Sequence, residues 1–223
     1  MSELAAKPSR AQLAWYAFVR NAIYLFSRAF WRLEIAGRDH VPTSGPFILA
    51  PVHRSNVDTP LVSGVTGRRL RYMGKDAMWK YRWSAWFFTS LGGFPVHRGT
   101  ADREAMRRCE EVLAGGEPLV MFPEGTRQAG PAIEEMFDGV AYVALRQGVP
   151  IVPVGIGGSE RAMPKGARMI RPVKLTMVIG APIPVTAPAP GERVPRRAVR
   201  ELTERLRHDL QLLFDEAQVR AGA

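Results

Sequence analysis

Short apolar runs alternate along this chain with longer segments in which apolar residues return every three or four positions. The runs at 31–36, 47–52, 70–74, 119–122, 151–156 and 173–179 have strand length, and the wholly apolar 47–52 predicts a strand buried on both faces. A further strand-like piece, 92–99, is framed by glycines. Helical spacing predicts helices over 59–66, 100–114, 133–147 and about 195–219, the last with Ala198, Leu202, Leu206, Leu210, Leu213 and Phe214 on one face. Such alternation predicts an α/β sandwich with a mostly parallel central sheet flanked by helices.

Residues 10–33 form the longest uninterrupted helical pattern, with Trp15, Phe18, Val19, Ala22, Ile23, Phe26 and Phe30 at the spacing of one face. Arg20, Arg28 and Arg32 make the segment too charged to cross a bilayer. It reads either as an amphipathic helix packed on the protein's own core or as an interfacial helix among lipid headgroups. The pattern alone leaves both open. The aromatic cluster at 77–91, with Trp79, Tyr81, Trp83, Trp86, Phe87 and Phe88, carries the same two readings. The division expected is therefore an N-terminal helical segment, 1–33, followed by one domain, 34–223, which carries the C-terminal helix.

Composition narrows the partners. The 31 basic residues exceed the 21 acidic ones by 10, giving a net charge of +10. That charge draws polyanions in general, whether nucleic acid, anionic lipid or a phosphorylated substrate. The single cysteine, Cys109, excludes an intrachain disulfide and a cysteine-rich zinc site. There is no signal-peptide design and no apolar run long enough to span a membrane, so a cytoplasmic protein is expected, attached at most from that side.

Candidate chemistry lies where the runs end. His53-Arg54-Ser55-Asn56-Val57-Asp58 leaves the 47–52 run and enters a predicted helix. In a regular helix, residues five apart lie about 140° around the axis and do not meet. They meet if His53 is still in the turn and Asp58 opens the helix. A carboxylate on one ring nitrogen then fixes the tautomer and frees the other nitrogen to take a proton. The alternative is a helix cap by Asp58 or Ser55, with His53 bonded to a carbonyl. Glu124-Gly125-Thr126-Arg127 also follows a buried run. Gly125 permits a tight turn, Thr126 offers a hydroxyl and Arg127 a fork that matches phosphate oxygens. Arg98 stands near a further strand end.

Four segments occur in order: His53 to Asp58, Gly93-Phe94-Pro95-Val96-His97-Arg98-Gly99, Phe122 to Arg127, and Val149-Pro150-Ile151-Val152-Pro153-Val154-Gly155. Together they resemble the four sequence blocks of the glycerolipid acyltransferases, specifically the 1-acylglycerol-3-phosphate acyltransferases (the PlsC-like family), over roughly residues 31–180. The resemblance implies a general base, His53, oriented by Asp58, which deprotonates a lysolipid hydroxyl for attack on an acyl thioester. Ser55 is then not a nucleophile. It further implies that Glu124, Gly125, Thr126, Arg127 and Arg98 hold the acceptor's glycerol phosphate, with Lys75 a weaker candidate for steadying the oxyanion. Residues 149–155 would line or support the acyl end.

No metal or cofactor is implied. The partners implied are a lysophospholipid acceptor, an acyl-CoA or acyl carrier protein donor, and an anionic membrane surface, reached peripherally from the cytoplasmic face. No nucleic-acid motif or basic run is present, although the charge alone fits a non-catalytic binder of lipid or nucleic acid. One departure stands out. Where many members carry a lysine, in Phe-Lys-x-Gly, this chain reads Met136-Phe137-Asp138-Gly139, which opens a second acceptor: another lysophospholipid, or glycerol 3-phosphate.

Overall fold

The protein is described by a computed structural model covering residues 8–96, 103–189 and 191–223. Its centre is a seven-stranded sheet in the order β1-β7-β6-β2-β5-β3-β4. These strands are β1 (Glu34–Ala36), β2 (Ile48–Pro51), β3 (Arg71–Lys75), β4 (Gly93–Val96), β5 (Leu119–Val120), β6 (Ile151–Gly157) and β7 (Thr176–Ile179). Every neighbouring pair is parallel except β6 with β7. The mostly parallel sandwich expected from the alternation is the fold observed. All residues of β2, β6 and β7 are buried, which is why they read as continuous apolar runs.

Helices cover both faces. Successive strand residues point to opposite sides. Thus Tyr72 meets Tyr16 of α1 (Arg10–Phe30), while Met73 lies 3.2 Å from the buried Cys109 of α4 (Arg103–Ala114). With α1 pack the short α2 (Asp58–Leu61) and α3 (Arg82–Ser90). With α4 pack α5 (Gly139–Gln147) and the long α7 (Arg196–Ala221), which lies along β6 and β7. A single turn, α6 (Ser159–Ala162), follows β6.

Two glycines let α7 approach the sheet. A Cβ on Gly155 would stand 2.2 Å from the Leu213 carbonyl oxygen, and one on Gly157 would stand 2.0 Å from that of Ala217. Neither backbone can give way without lifting the helix that buries Leu206, Leu210 and Phe214. The 149–155 block, expected to line or support the acyl end, enters β6 at Ile151, and its strand residues are fully buried beneath this helix.

Several boundaries differ from the sequence pattern, each for a local reason. The 133–147 segment is helical only from Gly139, because the Ile133 N–H donates to the Gln211 side chain (2.8 Å) and the Phe137 N–H donates to the Pro123 carbonyl (2.8 Å). Those bonds hold 133–137 extended across the strand ends. The first strand begins at Glu34, not 31, since the Trp31 and Leu33 N–H groups both bond back to Ser27 and Arg32 turns the chain at φ 49°. The 59–66 helix is one α turn and then a 3-10 turn, Val62–Val65.

The face of α1 also differs. Its core side carries Tyr16, Ile23, Tyr24 and Ser27, with the Tyr16 hydroxyl accepting the Leu70 N–H at 3.0 Å. Ala11, Ala14, Phe18, Ala22, Leu25 and Ala29 run down the opposite side, all exposed. Phe18 and Leu25 are 66% and 65% accessible. Apolar side chains therefore lie on both sides of this helix, so spacing could not say which was buried.

Replacing Gly157 by alanine is expected to destabilise the protein by about 1–3 kcal/mol, the range of overpacked cores. The urea midpoint of unfolding checks this. An unchanged midpoint would show that α7 can retreat at no cost.

Candidate active site

Parallel register builds the site before any side chain is considered. Leu49 of β2 pairs with Val120 of β5, so His53 and Glu124, each four residues on, leave the sheet side by side. The contact follows directly. The Glu124 Oε1 accepts the His53 N–H at 2.7 Å, and the Gln128 N–H donates to the His53 carbonyl at 2.9 Å. Both backbone polar groups of His53 are thus held by the 122–128 loop. The imidazole stacks on Phe122 with ring centroids 4.1 Å apart.

Asp58 holds the ring from the other side. It opens α2, and its Oδ2 accepts from His53 Nδ1 (3.1 Å), the Arg54 N–H (2.7 Å) and the Ser55 N–H (2.6 Å). Each donor to a carboxylate oxygen brings its own hydrogen, so Nδ1 carries the proton and Nε2 is left as the basic nitrogen. Asp58 is fully buried, whereas the His53 side chain is 17% exposed, enough to meet a substrate from one side. Nε2 has no partner among the described residues. The orienting arrangement is the one observed: α2 has Val57 at its N-cap with no side-chain cap bond, and the two N–H groups on Asp58 belong to the turn before the helix.

Ser55 lies between them with its hydroxyl committed elsewhere. It is buried and donates to the Met163 carbonyl at 2.8 Å, so it points away from the imidazole's free nitrogen.

Glu124 has a structural task beside the one the resemblance implied. Its side chain is buried, with one oxygen on His53 N–H and the other on the guanidinium of Arg54. Burial pushes its carboxyl up, while His53 N–H and Arg54 pull it back down. Glu124 holds the His53 backbone in place.

Arg54 was not singled out by sequence, and it is the largest fully buried side chain among the described residues. Its guanidinium pairs with Glu124, donates to the Ala132 carbonyl (3.0 Å) and lies 4.8 Å over the Phe214 ring of α7. An arginine directly after a wholly apolar strand is the signal that could have found it, because burial there demands an acid in register.

The remaining candidates lie at the same sheet edge. Gly125 turns the loop at φ 64°, and a Cβ there would stand 2.6 Å from the Phe137 ring. Thr126 is exposed, and Arg127 is half-buried with no ion pair or hydrogen bond among the described residues. Lys75 ends β3 exposed. By register it stands level with the residue before His53 but two strands away, about 10 Å across the sheet. Arg98 and His97 lie outside the described residues. No cluster of metal-ligating side chains occurs among the described residues.

With this geometry in hand, comparison with known proteins places the chain. The family model described as Acyltransferase matches residues 32–157, more than half of the chain and the whole span from β1 to the end of β6. The chain belongs to the acyltransferase family. Among relatives, this acyltransferase is 24% identical over 169 residues to the 1-acyl-sn-glycerol-3-phosphate acyltransferase of Bacillus subtilis, covering 75% of this chain and 82% of that protein. A chloroplastic 1-acyl-sn-glycerol-3-phosphate acyltransferase of Brassica napus is 26% identical over 144 residues, covering 63% of this chain and 42% of that one. The acyltransferase thus spans less than half of the plant protein's length. Its fold is similar to the crystal structure of PlsC, the 1-acyl-sn-glycerophosphate acyltransferase of Thermotoga maritima. That match has a TM-score of 0.67 at 23% identity, covering 90% of this chain and 82% of that chain.

Arg54→Met is expected to cost about 3–5 kcal/mol, because it strands a buried carboxylate. Adding Glu124→Gln should recover at least about 1 kcal/mol of that loss, as coupled partners do. Urea unfolding of the two singles and the double variant measures the coupling. Strict additivity would contradict the buried pair.

Proposed function

We propose that this acyltransferase moves a fatty acyl group from an acyl thioester, acyl-CoA or acyl carrier protein, to the free hydroxyl of 1-acylglycerol 3-phosphate, giving phosphatidic acid. The observation that carries the reading is the His53–Asp58 pair: a buried carboxylate on Nδ1 of a ring that is still 17% exposed and has no partner on Nε2 among the described residues. Nε2 takes the proton of the acceptor hydroxyl as its oxygen attacks the thioester carbonyl. The new C–O bond forms, the C–S bond breaks, and the proton passes from Nε2 to the departing thiolate. Asp58 stays ionised and stabilises the imidazolium between the two transfers. No acyl-enzyme is needed, which fits a Ser55 hydroxyl held by Met163. Arg127 and Thr126, on the loop that clamps His53, are the groups proposed to meet the acceptor's phosphate. Arg98 is proposed as a further cation for the same charge, and Lys75 as a group that steadies the developing oxyanion. The same curated relatives are named for this activity in bacteria and in chloroplasts.

The surface beside the site supports a peripheral position on an anionic leaflet, at its cytoplasmic face. No described helix is long and apolar enough to cross a membrane. The outer stripe of α1 is nevertheless apolar along its whole length, and Trp83 and Trp86 of α3 are 71% and 63% exposed beside it. Trp15 joins the two helices, stacking on Phe18, meeting Trp86 and donating to Ser90 at 3.1 Å. Amphipathic aromatic side chains of this kind favour the headgroup region.

A second acceptor is favoured by one observation. Phe137 stands where many relatives of this type were expected to carry a lysine, and its ring is exposed against Gly125, beside Arg127. An apolar group at that place suits an acceptor with fewer charges near the loop than lysophosphatidate brings, so other lysophospholipids belong in the same assay.

His53→Ala is expected to lower turnover of lysophosphatidate with acyl-CoA by about 10²–10⁴-fold, with the thermal midpoint unchanged. Purified enzyme assayed across lysolipid acceptors measures both acceptor choice and this loss. Retention of near-normal turnover by the variant would sink the base assignment.

A further inference from the structure

Between Glu160 and Glu192 the chain carries no acidic residue, yet residues 161–174 contain Arg161, Lys165, Arg168, Arg171 and Lys174. Two of these are committed within the protein. Arg161 donates to the carbonyls of Ala221 and Gly222, and Lys174 pairs with Glu34 at 3.0 Å. The side chains of Lys165, Arg168 and Arg171 are exposed and have no partner among the described residues. Between them stand Met169, 80% exposed, and Ile170, also exposed.

The segment is not a loose end. The Arg171 N–H donates to the Ala162 carbonyl at 2.8 Å, closing residues 162–171 into a compact loop with joined ends. One root is fixed to the catalytic turn, where the Ser55 hydroxyl holds the Met163 carbonyl. The other is fixed to the end of α1, where the Trp31 indole N–H donates to the Arg171 carbonyl at 2.9 Å. Trp31 in turn packs edge-on against Phe26 and Phe30, and Phe26 lies at the exposed margin of α1. Arg171, next to the exposed Met169 and Ile170, is thus tied through Trp31 to the exposed margin of α1, and Arg28 and Arg32 at that end of the helix are exposed as well.

We infer that the 163–171 loop is a second membrane contact, in which Met169 and Ile170 enter an anionic bilayer while Lys165, Arg168 and Arg171 bind its headgroups. This rests on the peripheral reading of α1 given above. Charge complementarity decides the occupant. Exposed apolar side chains inside an all-basic rim match acyl chains beneath anionic headgroups, and each basic group near such a surface strengthens binding several-fold. Since one root of the loop is tied to Ser55, docking there sets the His53 turn against the leaflet that holds the lysolipid. The loop then acts as a locating foot for the site, with α1 as the broader contact.

The test is co-sedimentation of the full chain with vesicles of phosphatidylcholine, with and without phosphatidylglycerol. The Met169→Ser/Ile170→Ser variant is expected to bind both kinds about tenfold or more weakly. The Lys165→Ala/Arg168→Ala/Arg171→Ala variant is expected to lose roughly fivefold per residue on anionic vesicles only, with a flatter salt dependence. Both should turn over a monodisperse, short-chain lysolipid at the wild-type rate while losing turnover of vesicle-embedded acceptor. Wild-type binding by both variants would overturn the inference, as would a wild-type protein that ignores anionic vesicles while turning over the soluble acceptor. Loop-dependent binding by a protein that transfers no acyl group would uphold the inference and refute acyl transfer.

Discussion

Two buried carboxylates acting on one histidine are the constraint from which the rest of the site follows. Glu124 fixes the peptide N–H of His53, Asp58 fixes its ring Nδ1, and Phe122 fixes the plane in which the ring lies. Neither carboxylate is buried without donors. Asp58 gathers three donors on one oxygen, and Glu124 is balanced by Arg54. The donors of Asp58 are local to the turn, whereas those of Glu124 come from another strand. The site exists because parallel pairing brings β2 and β5 into that register.

Arg54 extends the same dependence to the opposite layer. Its guanidinium reaches Phe214 on α7, a helix that can lie where it does because Gly155 and Gly157 leave room for its backbone. The fourth sequence block thus serves the site at a distance. Its Gly155, with Gly157 just beyond it, seats α7, and α7 supplies one wall around the arginine that pairs with Glu124. Residues expected to line or support the acyl end also serve as packing for a buried charge pair.

Much of this is legible in the order of residues alone. Buried parallel strands are apolar throughout, so 47–52 and 151–156 stand out, and glycine or charge punctuates their ends. His53 and Asp58 can be paired because both lie at one strand-to-helix turn. What stays hidden depends on tertiary partners. The spacing of α1 cannot tell its core side from its outer side, since Ile23 and Phe18 are both apolar. The role of Glu124 requires knowing that β5 is the neighbour of β2. Arg54 requires knowing that its guanidinium turns inward. The extended course of 133–137 is set by bonds to Pro123 and Gln211, which no helix propensity encodes.

The orientation of the molecule follows from the same turn. His53 opens to solvent beside the loop rooted on Ser55, and the apolar outer side of α1 leads to that loop. On the proposed peripheral placement, substrate hydroxyl and basic nitrogen meet without either leaving the interface. All of it requires that the imidazole keep its proton on Nδ1. The most direct measurement is therefore the tautomer of His53, read from the ring nitrogen shifts of histidine-labelled protein at neutral pH and assigned by its loss in His53→Gln. A neutral ring protonated on Nδ1, with Nε2 bare, is the result predicted. A ring protonated on Nε2 would contradict the account, because the nitrogen meant to take the acceptor's proton would already hold one.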